Sequence, residues 1–251
     1  MRFPSPLISG RLLRRYQRFL VDVELDDGEV VTAHTANTGA MRDCSTPGLR
    51  VWLSRSENPR RKYPLTLEIV ETREGVAVGV NTARANALVE EALGDGCIDS
   101  LKGYRHIRRE VRYGAERSRV DLLLEQGPAP DCYVEVKNVT WVDGCGVARF
   151  PDAPTTRGLR HLRELQRMVE RGFRAGVFFC IQRDDARAMA PADDVDPAYA
   201  RAMERAVVAG VEVWACAAQV SPEAITLQRR VPVHLAGPDA PCTDRRRSWR
   251  R

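Results

Sequence analysis

The chain has 251 residues, of which 43% are hydrophobic and 29% charged, so it can form one large or two modest globular domains with a sizeable core. No apolar run approaches the roughly 20 residues that span a bilayer, and the N-terminal residues lack the apolar segment of a signal peptide, so we expect a cytoplasmic protein with no membrane partner. The net charge is +5, but the last fifteen residues supply +3 of it. Any nucleic-acid affinity of the folded part must therefore come from local basic patches.

The first domain, residues 1–80, is predicted to be all-β. Strands over 19–25 and 30–34 flank Asp26-Asp27-Gly28, which is a strong hairpin signal. Three further short strands are predicted at 49–54, 65–70 and 76–80. Five short strands in this length are typical of a small barrel such as an OB-fold, although an SH3-like barrel gives a similar pattern.

A second domain, residues 81–235, is predicted to be α/β. A helix is expected over 84–93, with Thr82 as its N-cap and Gly94 as its stop. The further elements, in chain order, are strands near 110–113, 120–125 and 132–139, a helix over 157–171, a strand at 176–181, a helix over 197–209 and a strand at 211–216. This alternation predicts a mixed sheet covered by helices. Residues 236–251 are expected to form a disordered basic tail.

Lys137 is the most informative residue, because only three of the 39 basic residues are lysines. It follows Glu135 by two positions in an alternating strand, so both side chains point to the same face. Asp121 lies on another apolar strand, with thirteen residues between it and Glu135. Two carboxylates and a compact ammonium at one point suit a phosphodiesterase site that uses Mg²⁺ or Mn²⁺. Arginine's broad fork would replace that ammonium poorly.

Other interpretations of these residues remain open. A Glu-x-Lys strand is also a common solvated face with an ion pair. On the preceding helix, Glu91 is placed where a third acidic ligand could reach the same point, or it is simply a surface glutamate. His161 and Glu164 share a helix face at i and i+3, and they either complete the wall of the site or cap the sheet.

Three basic segments are candidates for DNA contacts. Arg60, Arg61, Lys62 and Tyr63 lie in one loop, in which arginine can bind phosphate and tyrosine can stack on a base. A second cluster contains Arg15 and Arg18, and a third, Arg117 and Arg119, leads into the Asp121 strand. Each is alternatively a solvated face or an ordinary surface loop.

Several motifs occur in order along residues 3–235. They are Asn37-Thr38-Gly39-Ala40-Met41, Arg61-Lys62-Tyr63-Pro64, the segments 113–121 and 133–140, Phe150-Pro151-Asp152-Ala153, and Arg157-Gly158 followed by residues 161–165. In these motifs the chain resembles the sugar fermentation stimulation protein A (SfsA) family. The resemblance implies an OB-like N-terminal domain and a C-terminal domain of the PD-(D/E)xK nuclease type. It also implies non-specific DNA binding and a regulatory role in maltose metabolism. The family's site positions correspond to Asp121, Glu135, Lys137 and Glu91.

Two functions are consistent with these features. The first is a DNA-binding protein with a working Mg²⁺-dependent nuclease site. The second is a DNA-binding regulator whose nuclease-like domain is a catalytically silent scaffold, because a fold does not establish a function. The oligomeric state stays open, with a dimer as one option.

Overall fold

A β-barrel followed by an α/β domain forms the fold, as the sequence predicts. The computed structural model describes residues 1–116 and 118–235, so Arg117 and the predicted tail lie outside the described residues. The strands are β1 Ile8–Tyr16, β2 Leu20–Leu25, β3 Val30–His34, β4 Arg50–Arg55, β5 Leu65–Glu71, β6 Ala77–Gly79, β7 His106–Tyr113, β8 Ser118–Glu125, β9 Cys132–Val139, β10 Val147–Phe150, β11 Arg174–Ile181, β12 Ala188–Pro191, β13 Glu212–Val220 and β14 Ile225–Arg230. The helices are α1 Ala85–Gly94, α2 Thr156–Glu170 and α3 Pro197–Val208.

The barrel is a single sheet in the order β3-β2-β1-β4-β5-β6. A parallel bridge between His34 and Thr66 joins β3 to β5 and closes the first five strands. The predicted hairpin joins β2 to β3, and its turn contains Gly28 at a φ of 88°. Strand β1 was not predicted, because a register shift between Leu12 and Arg14 breaks its alternation.

The second domain contains a six-stranded sheet in the order β14-β13-β11-β9-β8-β7. Strands β9, β11 and β13 are parallel, and the outer pairs are antiparallel. Helix α1 packs on one face through Leu88 against Leu122 and Val134. Helices α2 and α3 cover the other face, which buries Leu162 and Met203. The sheet is thus enclosed on both sides, as its continuous apolar strands require.

Helix boundaries agree with the predictions within two residues, but the capping of α1 differs. Asn81 caps the short 3-10 turn before α1 by accepting a hydrogen bond from the Ala83 N–H at 3.1 Å. The predicted cap, Thr82, instead donates to the carbonyl of Ala36 at 3.1 Å. The helix ends at Gly94, the predicted stop, and the turn beyond it contains Gly96, whose φ is 72°.

Direct contacts fix the barrel against the α/β domain. The N–H of Gly79 donates to the carbonyl of Gln182 at 2.8 Å, and the N–H of Met41 donates to Asp152 at 3.2 Å. Within the described part of the chain, no helix is long and apolar enough to cross a membrane.

Candidate functional site

Asp121 lies at the end of the paired stretch of β8 and β9. The last register pair is Leu122 with Val134, so the next opposed positions are Asp121 and Glu135. Asp121 Oδ2 accepts a hydrogen bond from the N–H of Val136 at 2.7 Å. The aspartate side chain therefore lies against β9 beside Glu135, and the structure brings the two predicted carboxylates together.

Helix α1 contributes Asn86 to this point, and not Glu91. The Asn86 amide donates to Asp121 Oδ1 at 3.1 Å. Both oxygens of Glu91 bind the N-terminal ammonium of Met1, with Oε2 at 2.8 Å. Residues 86 and 91 are about 140° apart around a helix, so only one of them can face Asp121. The expectation for Glu91 as a ligand is therefore not met by this geometry.

Glu135, Lys137 and His161 form a compact buried cluster. Lys137 Nζ donates to Glu135 Oε1 at 2.7 Å, and His161 Nδ1 contacts the same oxygen. Lys137 Nζ is also 3.2 Å from His161 Nδ1. Glu135 and His161 are each only 2% exposed. The Glu-x-Lys pair is therefore not a solvated face, and His161 belongs to the wall of the site.

The two carboxylates have opposite pKa shifts. Burial, and then the charge of Glu135, raise the pKa of Asp121 to about 6. Burial also opposes ionisation of Glu135, but the charge of Lys137 and the hydrogen bond from His161 outweigh it, so the pKa of Glu135 is lowered. Shifts of this kind are characteristic of functional sites, although structural ion pairs produce them too.

The donor set fits a hard divalent cation. Glu135 Oε2 is buried and has no hydrogen-bond partner among the described residues, whereas buried carboxylate oxygens are normally paired. Tyr113 Oη is also buried without a partner, and burial and the neighbouring carboxylates raise the pKa of this phenol. Among the described residues, no three His, Cys, Asp or Glu side chains converge on one point. Two carboxylates completed by water are a ligand set that Mg²⁺ accepts.

Glu164 has a structural role one turn along α2 from His161. Its carboxylate accepts hydrogen bonds from the N–H groups of Ala115 at 2.9 Å and Glu116 at 3.1 Å. It also pairs with Arg167. Glu164 thereby holds the turn between β7 and β8, which leads directly into the Asp121 strand.

Gly114 begins that turn and cannot be replaced without disruption. Its φ is 69°, and a Cβ added there would lie 1.3 Å from Glu164 Oε2. We expect Gly114→Ala to lower the free energy of unfolding by about 2–4 kcal/mol, because backbone strain adds to the displacement of a buried carboxylate. Gly94→Ala is the control, since a Cβ there meets no atom within 4 Å. Urea unfolding of both variants measures the difference, and equal stability would show that the turn adapts freely.

Arg112 and Arg119 form an exposed basic couple next to Tyr113, at the end of β7 and the start of β8. They are directly opposed on β7 and β8, both are exposed, and they line a cavity of about 530 Å³ with Tyr113 and Gly114. Like charges directly opposite each other are destabilising. Neither guanidinium has an ion pair or hydrogen bond within residues 1–116 and 118–235, so the couple is free to bind an anion. Arg117 lies outside the described residues.

The barrel loop with the predicted basic cluster is open to solvent. Arg60, Arg61 and Lys62 are all exposed, and Lys62 Nζ lies 5.4 Å from the centre of the Tyr63 ring. Arg61 donates to the Thr66 hydroxyl at 3.2 Å. The ammonium and the ring are thus available to a ligand.

Arg15 and Arg18 bind backbone carbonyls of a neighbouring loop. Arg15 donates to the carbonyls of Asn37 and Gly39, each at 2.9 Å, and Arg18 donates to the carbonyl of Thr38 at 2.9 Å. These arginines organise the 37–41 loop, whose Met41 N–H bonds to Asp152 in the second domain. Arg15 is thereby committed to this loop, whereas Arg18 stays exposed, and the predicted role of both as DNA contacts stays a prediction.

Three contributors to the site were not identified from the sequence. Asn86 lies three residues before the buried Val89, so both are on the same face of α1. This position on the buried face is the one signal in the sequence that points to Asn86. Arg112 is directly opposed to Arg119. The pairing register of β7 and β8 shows this, and the sequence predicts only the last four residues of β7. Tyr113 ends the predicted strand over 110–113, but the sequence does not indicate that its side chain is buried near the carboxylates.

Comparisons with known proteins agree with this architecture. Residues 13–80 match the family model described as the SfsA N-terminal OB domain. This match selects the OB-fold over an SH3-like barrel. Residues 83–224 match the model of the sugar fermentation stimulation protein RE domain, where RE denotes restriction endonuclease-like.

Curated relatives cover nearly the whole chain. A sugar fermentation stimulation protein homolog of Maricaulis maris is 54% identical over 236 residues, which are 94% of this chain and 100% of that protein. A homolog of Geobacter metallireducens is 54% identical over 235 residues, with the same coverage. Among solved structures, Pyrococcus furiosus SfsA in complex with Ca²⁺ matches with a TM-score of 0.83 at 28% identity, covering 93% of this chain and 98% of that one.

Proposed function

The chain belongs to the sugar fermentation stimulation protein (SfsA) family, and from that premise we propose that it binds DNA and cleaves it at a divalent-metal site. The proposal rests on one observation. Within residues 1–116 and 118–235, Glu135 presents a buried oxygen without a partner next to Asp121, and an ammonium binds the other oxygen of the same carboxylate. Two buried carboxylates are costly unless positive charge compensates them, so this arrangement favours a bound cation.

Asp121 and Glu135 would hold the cation. The relative from Pyrococcus furiosus is described in complex with Ca²⁺, which supports a site for a divalent cation in this fold. Mg²⁺ and Mn²⁺ prefer the same hard oxygen ligands. When bound, such an ion stabilises negative charge on the phosphate and makes water a better nucleophile.

The residues around the carboxylates orient the reacting groups. Lys137 is held by Glu135 and packs beside His161, so its ammonium is fixed and partly desolvated, with a side-chain exposure of 12%. From there it can bind a non-bridging phosphate oxygen and stabilise the charge that grows in the transition state. His161 Nε2 accepts a hydrogen bond from Arg157 Nε at 3.3 Å, which fixes the orientation of the imidazole ring.

DNA would reach the site along two basic surfaces. Arg112 and Arg119 share a cavity with Tyr113 and would contact phosphates on one side of the scissile bond. The loop of residues 60–63 offers charge and a ring on the barrel. Contacts of both kinds bind the backbone and the faces of bases, so they predict little sequence preference. A regulatory role in maltose metabolism would act through this binding.

Cleavage of labelled DNA during titration with Mg²⁺, Mn²⁺ or Ca²⁺ tests the proposal. We expect metal-dependent cleavage by the wild type and none by Asp121→Ala, with DNA binding retained in that variant. If the wild type binds DNA but cuts no single- or double-stranded substrate with any metal, the silent-scaffold function replaces the nuclease function. If it does not bind DNA, both are wrong.

The basic loop provides a separate prediction for DNA binding. Replacing Arg60, Arg61 and Lys62 with alanine should weaken binding about 10-fold or more at low salt, because three phosphate contacts are lost. Thermal stability should change little, since exposed loop residues contribute little to the core.

Fluorescence anisotropy over a range of salt concentrations measures this effect. The matched control is Arg201→Ala with Arg205→Ala, which removes exposed charges from α3. An equal loss of affinity in the control would mean that net charge, and not the loop, determines binding.

A further inference from the structure

Two cysteines meet at the end of α1, away from the carboxylates. Cys97 lies in the turn that follows the helix, directly after Gly96, and its N–H donates to the carbonyl of Ala92 at 2.9 Å. Cys216 lies on β13 and is buried. Their sulfur atoms are 3.3 Å apart, and both are free thiols. Neither residue takes part in the proposed nuclease chemistry.

The local environment makes Cys97 the reactive member. Its side chain is partly exposed. The hydrogen bond from Cys216 lowers the pKa of the Cys97 thiol to about 7 against the opposing effect of burial, and the charge of Arg230 acts in the same direction. The thiolate is the nucleophilic form of cysteine, so the lowered pKa makes Cys97 the attacking thiol of the pair.

The other buried free thiols lack these features. Cys44, Cys132 and Cys180 are buried, and burial raises the pKa of each to about 12. They therefore remain protonated at neutral pH and serve as internal controls for reactivity.

We propose that Cys97 and Cys216 form an oxidation site, where a hydroperoxide converts the two thiols to a disulfide. The Cys97 thiolate attacks a peroxide oxygen, the O–O bond breaks, and Cys97 becomes a sulfenic acid while hydroxide leaves. The sulfur of Cys216 then attacks the sulfur of Cys97. The S–S bond forms, the S–O bond breaks, and the departing hydroxide takes the Cys216 proton as water. For hydrogen peroxide, two thiols are oxidised and one peroxide is reduced to two waters.

Little movement is needed to form the bond. The sulfurs must approach from 3.3 Å to about 2.05 Å. Cys216 is fixed in the sheet, whereas Cys97 lies in a turn beyond the helix end and can supply the shift. The resulting link would fasten the C-terminal end of α1, the helix that presents Asn86 to Asp121, to strand β13.

Peptide mapping of the full-length protein after treatment with hydrogen peroxide at pH 7.5 is the direct test. We expect a disulfide between the peptides that contain Cys97 and Cys216, reversed by dithiothreitol. The Tm should rise by about 5–10 °C, because the link closes a long loop of chain. Cys97→Ser should lose both the disulfide and the rise in Tm. Cys44→Ala, in the barrel, should retain both.

Trapping with dimedone identifies the attacking thiol. In Cys216→Ala the sulfenic acid on Cys97 forms more slowly, because the hydrogen bond that lowers the pKa of Cys97 is gone. It has no resolving partner, however, so with excess peroxide it accumulates, and dimedone should label Cys97 several-fold more than it labels the wild type. If that variant does not fold, peptide mapping of the wild type and of Cys97→Ser still decides. The proposal is wrong if peroxide leaves the two thiols unlinked, or if Cys97 reacts no faster than Cys132 and Cys180.

Discussion

Lys137→Ala is expected to cleave DNA about 100-fold more slowly than the wild type while binding DNA nearly as well. The ammonium is held 2.7 Å from Glu135 Oε1, which fixes it where the proposed site would bind the scissile phosphate. A fixed charge that stabilises the transition state more than the ground state is often worth about 3 kcal/mol, or roughly 100-fold in rate. Phosphate contacts elsewhere supply most of the binding.

Lys137→Arg should also be impaired. The ammonium fits between Glu135 and His161 Nδ1, which is 3.2 Å away, and the broader guanidinium fork cannot take that position. Lys102→Ala is the matched control, because Lys102 is an exposed lysine that pairs with Asp99. Single-turnover cleavage and anisotropy should be measured for all four proteins, with melting curves to exclude unfolding. If all four proteins cleave DNA at the same rate, the activity belongs to another site of the protein or to a contaminant.

The core of the site could be predicted because it depends on local rules. Alternation along a strand places Glu135 and Lys137 on one face, whatever the rest of the fold does. Asp121 follows from a second apolar strand of similar length. Burial distinguishes this site from a solvated ion pair. It depends on tertiary packing, because His161 on α2 contacts Glu135 and both side chains are buried.

The remaining site residues depend on relations that a sequence does not fix locally. The choice between Asn86 and Glu91 depends on the rotation of α1 about its axis, which packing against β8 and β9 determines. Arg15 and Arg18 resemble phosphate ligands by composition alone. They instead bind carbonyl groups of a loop about 20 residues away, and no local pattern indicates that pairing.

Asp121→Asn is expected to stabilise the metal-free protein at pH 7 by about 2–3 kcal/mol. Burial and the charge of Glu135 raise the pKa of Asp121 from its ordinary 3.8 to about 6, and each unit corresponds to about 1.4 kcal/mol. Asparagine removes that charge and keeps both hydrogen bonds. Its carbonyl accepts from the Val136 N–H, and its amide can donate to Asn86 once that side chain turns over.

The sign of the pH dependence follows from the raised pKa. Between about pH 4 and pH 6 the folded protein binds more protons at Asp121 than the unfolded chain does, so this contribution to stability falls as the pH rises through that window. The stability advantage of Asp121→Asn should therefore be small near pH 4 and reach its full value above about pH 6. Urea unfolding in EDTA at several pH values measures this difference, and parallel pH profiles for the two proteins would contradict it.

Adding a metal should reverse the order of stability. A divalent cation neutralises the repulsion between Asp121 and Glu135, and binding only to the folded state raises stability with the logarithm of the ligand concentration above Kd. Saturating Mg²⁺ or Mn²⁺ should then raise the Tm of the wild type and leave that of Asp121→Asn nearly unchanged. If both proteins respond equally, the cation binds elsewhere. The two carboxylates would then have to be explained without a metal, as a costly buried pair that only Lys137 and His161 compensate.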